Sequence, residues 1–411
     1  MSRATQQHSA TLCALLFLIV ARSATADSFA LLHTFAEPGN INPNELLVDG
    51  STLYGTTGQG GTYNEGTLYS MNLDGSHFQV LHNFQSLTPG GEWPFSPLVQ
   101  AGQTLYGTSY APAAYSINKD GTNAQNLPVQ LPDVDGLSLI GSKLYGGGSM
   151  GDLGGGDYSA IFSMNLDGSD LQNLHIFTGF NGDGYQPSGI FTQVGSTLYG
   201  VTRGALGFGG TASNLFSMNL DGSNFQTLHT FNGTGGSLFD EIPDPHLTVI
   251  GSSLYGVTTL TSNSEMFAID LNGANFRVLH TFASGPPSVL SDGGPLAAGL
   301  TLVGSTFYGV QSTGGSNGLG ALFSIQPDGS NYQVLHSFTG TGGVYPSTQL
   351  TVVGSTLYGA TENSTGDPNY GGSGPSTLFA YTIPEPSTAM LLFLGCLGLP
   401  IAVLMRRRRA V

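Results

Sequence analysis

At 411 residues the chain would suggest two or three domains, taking about 150 residues per domain, yet its composition points to one repeated architecture. Glycine fills 62 positions, charged residues make up only 9% and aromatics reach 10%. This excludes a disordered polyelectrolyte and leaves little Glu, Lys or Arg for helices. Short aromatic and β-branched runs set among glycines read instead as many strands joined by tight turns.

Residues 1–26 run from Arg3 through the apolar stretch Leu12–Ala21 to Ala24-Thr25-Ala26. This order of charged, apolar and small residues reads as a secretory signal peptide, too short in its apolar part to span a bilayer. Residues 27–383 are then expected to form the folded unit.

Within that unit the tripeptide Leu/Phe-Tyr-Gly recurs with its tyrosine at positions 54, 106, 145, 199, 255, 308 and 358. A short apolar run precedes each copy. After it come a Gly-rich stretch, an alternating segment such as Leu215–Leu220, an Asp-Gly pair and a segment such as Phe225–Phe231. Four strands per unit follow. Asp-Gly at 74–75, 120–121, 167–168, 221–222 and 328–329, and Asn272-Gly273, are expected to be two-residue hairpin turns. Units of about 40–55 residues with four antiparallel strands are the signature of propeller blades.

The seventh unit has strands near 348–353, 355–361 and 376–382 and no fourth. Phe29–Phe35 matches the fourth-strand pattern but precedes any first strand of its own. Borrowing that strand closes the ring and removes open sheet edges. The expected fold is all-β, a seven-bladed β-propeller closed by an N-terminal strand. The same residues resemble the GloVer-type tandem repeat of bacterial surface proteins: Leu-Tyr-Gly-Thr-Thr with a Gly-Gly loop (Leu53 to Gly61), Gly-Thr-Leu-Tyr-Ser (Gly66 to Ser70), Asp-Gly and Leu-His-x-Phe. Unit two departs from it, with Leu127-Pro128 where the histidine belongs and no Gly-Gly loop. The resemblance implies a propeller-like fold and an exported address, and supplies no reaction.

At the C-terminus, residues 384–411 hold Pro384-Glu385-Pro386, an uncharged run Ala389–Met405 just long enough to span a membrane, and Arg406, Arg407, Arg408 and Arg409. These three parts, in this order, resemble the PEP-CTERM sorting signal of Gram-negative bacteria. The resemblance implies an exosortase-type processing peptidase as partner, a transmembrane helix before processing, and a cell-envelope or extracellular location. Between the two terminal segments stand four basic residues (Lys119, Lys143, Arg203, Arg277) against 25 acids, a balance of −21. Such a surface excludes nucleic acid as a partner. Both cysteines, Cys13 and Cys396, lie in the terminal segments, so no disulfide is expected in the folded unit.

Six histidines, His33, His82, His175, His229, His280 and His336, occupy one repeat position. In Phe78–Phe84 the histidine is expected on the face of Phe78, Val80 and Phe84, on the outermost strand and far from its equivalents, where it would make a structural hydrogen bond between blades rather than a metal ring. Asn165–Asp170 is too short for a calcium loop, and no nucleophile elbow, phosphate loop or zinc motif is present. Neither a cofactor nor a metal is expected. The long connections, fourth-to-first and second-to-third, must emerge on one end of the ring, leaving the other end plain. On that elaborated face the candidate ligand-binding residues are Glu92, Trp93, Asp183, Tyr185, Asp240, Glu241, Asp292 and Tyr345, with Phe95 and Asp244 nearby. Aromatics among carboxylates suit stacking on sugar rings, and those next to a proline equally suit pinning loops to the rim. Two functions fit: a non-enzymatic exported protein that binds or organises extracellular polysaccharide or a surface protein, or a secreted lyase or hydrolase using a carboxylate pair.

Overall fold

The structure, a computed structural model, describes residues 29–35, 41–111, 114–129, 133–149, 159–178, 183–204, 212–231, 242–259, 263–283, 295–362 and 375–384. Residues 1–26, Glu385, Pro386 and everything C-terminal to them therefore lie outside the described residues. Those described are all-β, and no helix among them is long and apolar enough to cross a membrane.

Seven antiparallel blades form a propeller. Blade 1 consists of Leu47–Asp49, Thr52–Thr57, Thr67–Asn72 and Gln79–Asn83. Blades 2 to 6 repeat the order, and blade 7 consists of Thr351–Val353, Thr356–Glu362, Thr377–Thr382 and the N-terminal strand Phe29–Thr34. That last strand pairs antiparallel with Thr377–Thr382, Phe29 opposite Tyr381 and Thr34 opposite Thr377, so the ring closes as the repeat count requires. Seven clusters of buried apolar side chains result, one in each interface between neighbouring blades. Around the axis, hydroxyls of innermost strands donate to a carbonyl of the following blade: Thr192 to Leu247 at 2.9 Å, Thr301 to Leu350 at 2.6 Å, and Thr351 of blade 7 to Leu46 of blade 1 at 2.6 Å.

The repeated motifs acquire specific packing roles. In Leu-Tyr-Gly the glycine faces an aromatic ring across the sheet. A β-carbon at Gly55 would stand 2.3 Å from Tyr69 Oη, and one at Gly146 2.3 Å from Phe162 Cζ. The glycine is therefore the bed on which the third-strand ring lies, which fills the blade without spreading its strands. The two-residue hairpins fall between first and second strands, where Gly50 and its equivalents take φ near +60°.

Asp-Gly differs from expectation. Asn72 and Ser76 close a three-residue loop, Asn72 N donating to Ser76 O at 2.9 Å and Gly75 N to Asn72 O at 2.9 Å. Only Gly75, at φ +82°, is left-handed, while Asp74 accepts from Ser76 N and Oγ at 2.9 and 2.6 Å. The glycine also docks on the neighbouring blade: a β-carbon there would lie 2.7 Å from Leu32 O, and one at Gly121 2.1 Å from Leu81 O.

The outer strand carries a second correction. In six blades it contains a bulge whose extra residue is the leucine of Leu-His: Leu32, Leu81, Leu174, Leu228, Leu279 or Leu335. The bulge breaks the two-residue alternation, so Val80 is 46% exposed whereas Phe84 is fully buried, and the two do not share a face. The histidines do act between blades: His82 hydrogen-bonds the backbone of Gly121 of blade 2 as expected, and others stack on a ring of the next blade. His33 stacks on Phe78 of blade 1 with centroids 3.7 Å apart, His175 on Phe225 at 3.8 Å, His229 on Phe276 at 3.6 Å and His336 on Phe29 at 3.8 Å. Two of these four stacks involve the borrowed strand.

Candidate binding face and central cluster

The long connections gather on one end of the ring, where a short additional strand often leads into each blade. In Glu92–Pro94 the middle residue, Trp93, takes φ +51°, as do Gln186 (+46°) and Tyr345 (+51°) at the matching places before a proline. A non-glycine residue held there is strained and needs fixing from outside. Trp93 N donates to Glu65 O at 2.8 Å and Tyr345 N to Leu319 O at 2.8 Å, each from the second-to-third loop of the preceding blade.

The side chains at these places have different fates. Tyr345 and Tyr185 are buried, the latter with its hydroxyl 3.3 Å from Ser149 Oγ, and both pack loops instead of presenting a ring. Trp93 is 42% exposed and Phe95 39%. Trp93 leans on Tyr110, itself 64% exposed, with ring centroids 5.5 Å apart. In sequence only residues 112–114 separate the second and third strands of this unit, against 363–376 in blade 7. Beside the rings two carboxylates converge on one serine: Ser86 N donates to Glu65 Oε2 at 2.5 Å, and its hydroxyl meets Glu65 Oε1 at 2.8 Å and also Glu92 Oε2. Of the expected site residues, Glu92 and Trp93 thus come together, whereas Asp183 sits apart with its carboxylate 3.9 Å from His175 Nε2. Asp240, Glu241 and Asp292 lie outside the described residues.

A second cluster occupies the axis. In Pro243-Asp244-Pro245-His246 the two prolines stiffen the chain, and Asp244 Oδ1 accepts from His246 N at 2.9 Å and stands 2.8 Å from its Nδ1. The other ring nitrogen, Nε2, lies 3.1 Å from Glu45 Oε2 of blade 1. Blades 1 and 5 are not neighbours, so this contact can only cross the central channel. Burial opposes a charge on His246, but Asp244 and Glu45 outweigh it and push its pKa up to about 10, making it an imidazolium that donates at both edges. Gly299 of blade 6 leaves the space this requires, since a β-carbon there would lie 2.7 Å from both Asp244 Oδ1 and His246 Cβ. Asp244 was expected on this face. Glu45 and His246 were missed, and the signal available was His246 standing outside the repeated histidine position. Among the described residues, no three His, Cys, Asp or Glu side chains are placed to hold a metal ion.

No family model matches the sequence, and no curated protein is similar to it. Solved structures resemble it in fold. A puromycin-hydrolyzing peptidase of Mycobacterium tuberculosis is 13% identical, with a TM-score of 0.53 over 80% of this chain and 52% of that one, so the chain spans about half its length. An oligogalacturonate lyase in complex with manganese is 14% identical, with a TM-score of 0.51 over 82% of this chain and 86% of that one. YCF48 bound to D1 peptide is 11% identical, with a TM-score of 0.50 over 87% and 96%. At such identities the likeness shows the β-propeller fold alone.

Proposed function

We propose that the chain is an exported, non-enzymatic propeller that binds extracellular polysaccharide through the loop-rich face. The observation that carries this reading is the open Trp93–Tyr110 platform beside Glu65 and Glu92. Exposed rings stack on the apolar faces of sugars, and adjacent carboxylates accept from hydroxyls. A surface protein partner would use the same platform. Trp93 is the only tryptophan in the chain, so its fluorescence reports on this site alone. A glycan-array screen followed by titration should find a ligand that shifts the Trp93 emission, and Trp93→Ala should weaken binding about tenfold. Array binding that leaves the emission unchanged, or that survives Trp93→Ala, would remove the platform from the function.

A second reading rests on the central cluster. Glu45 and Asp244 flank one imidazole at the channel, an arrangement that could serve a lyase or hydrolase acting on polysaccharide, the class of chemistry named for the oligogalacturonate lyase neighbour. Product analysis of the array-positive glycans after incubation with the protein separates the readings, because chain shortening would establish an enzyme.

The export part of the proposal rests on residues 1–26 and 384–411, with exosortase-type processing at Pro384-Glu385-Pro386 and membrane retention by the apolar run and Arg406–Arg409. Replacing the four arginines by neutral residues should change both the membrane retention and the size of the mature protein on fractionation. An unchanged product would refute the sorting signal.

A further inference from the structure

The interface between blades 1 and 2 differs from the rest at two repeat positions, both on blade 2. Before the Asp-Gly or equivalent turn, the other blades carry Leu73, Leu166, Leu220, Leu271 and Pro327, and Ile383 takes the matching place in blade 7. Blade 2 has Lys119. At the position that packs on the outer strand of the preceding blade, the others carry Phe29, Phe78, Leu171, Phe225, Phe276 or Tyr332, whereas blade 2 has Ala124. Two apolar plugs are thus missing from one interface. Where the plug is present, the Leu-Tyr-Gly tyrosine can also tie the blades together: Tyr145 Oη donates to Leu220 O at 3.3 Å and Tyr199 Oη to Leu271 O at 3.2 Å.

What remains is a groove of about 710 Å³ beside Tyr54 on the plain face, opposite the loops. That volume falls within the range of about 300–1,000 Å³ typical of small-ligand sites. Its chemistry is that of amides and hydroxyls around two rings, those of Tyr54 and His77. Asn72, Gln79, Gln103 and Asn118 line it with Tyr54. Gln79 is anchored by donating from Nε2 to Ser70 Oγ at 3.1 Å, which keeps its amide oxygen for a ligand. The one cation present is already paired, Lys119 Nζ lying 2.5 Å from Asp49 Oδ2 with its side chain only 9% exposed. Asp120 places negative charge at the rim, part of the folded unit's balance of −21.

We infer that this groove is a binding site for an uncharged saccharide, separate from the loop-rich platform. Side-chain amides supply both donors and acceptors for sugar hydroxyls, the Tyr54 ring offers an apolar face, and the acidic surroundings repel a uronate or sulfated chain. The inference does not rest on the reading of the Trp93 platform.

Calorimetric titration of the full chain in a non-glycosidic detergent tests it, with cellohexaose and maltohexaose as uncharged probes and hexagalacturonate as the anionic counterpart. At least one uncharged probe should bind saturably, and hexagalacturonate at least tenfold more weakly. Lys119→Leu, which restores the apolar plug, and Gln103→Ala, on an exposed turn, should each weaken binding about tenfold. Trp93→Ala should leave this binding unchanged, so failure of the platform and failure of the groove are distinguishable. The inference is overturned if neither uncharged probe binds, if hexagalacturonate binds as tightly, if Lys119→Leu and Gln103→Ala bind within twofold of the wild type, or if Trp93→Ala abolishes the binding.

Discussion

The histidines of this chain sit in two opposite electrostatic settings. At the repeat position, His33, His82, His175 and His229 are half-buried against aromatic or apolar neighbours, and desolvation lowers their pKa below 6.5. A base depressed in the folded state favours folding fully above its unfolded pKa and loses that contribution as pH falls below 6.5. His246 is the reverse case. Its pKa, raised to about 10 by Asp244 and Glu45 against the cost of burial, gives a contribution that is complete below 6.5 and is lost as pH rises through 10. The ring should therefore be destabilised on the acid side by its rim and on the alkaline side by its axis. Thermal melts between pH 6.5 and 10 should show the melting temperature of the wild type falling more steeply than that of His246→Gln. Parallel slopes would mean that the imidazolium does not hold blades 1 and 5 together.

At the scale of the strand, the sequence shows best what repeats. The number of units, four strands in each, the outer position of the Leu-His strand and the borrowed Phe29–Thr34 all follow from motif spacing, and the pairing bears them out. The Leu-His bulge is concealed because one inserted residue looks, in a single strand, like an ordinary lapse of alternation. Only when Leu81 is seen packing into the interface with its carbonyl against Gly121 does it explain why both Leu-His and Asp-Gly recur: each is half of one joint between blades. The candidate site was less legible. Trp93 and Tyr345 share a proline neighbour and a left-handed backbone, yet one ring is exposed and the other buried, a difference that the shared local pattern does not carry. Glu45 and His246 are 201 positions apart in irregular segments, and nothing in periodicity brings them together.

For the whole molecule, stability resides in seven interfaces rather than one core, and each blade is held only by its two neighbours and the axis. Closure is therefore worth more than the contacts of a single strand. The N-terminal strand supplies the outer edge of blade 7, places Phe29 between His336 and Phe379, and places His33 and Phe35 against Phe78 and Tyr69 of blade 1. Leu32 packs into the same interface, while Leu31 points outward at 44% exposure. A chain beginning at Pro38 would lose these contacts on both sides of blade 7 at once. Burial of Phe35 contributes about 1.5–3 kcal/mol, and the partly buried Phe29 and Leu32 contribute less each, before the ordering entropy of the strand is subtracted. It would also leave Thr377–Thr382 as an unpaired edge, a template for association with a second copy. Melting residues 38–383 beside residues 27–383 should show a drop of many degrees and a tendency of the shorter chain to self-associate. Melting temperatures within a degree or two of each other would show that the ring holds without its first strand, with the axial Thr351–Leu46 bond and the blade 7 to blade 1 core closing it instead.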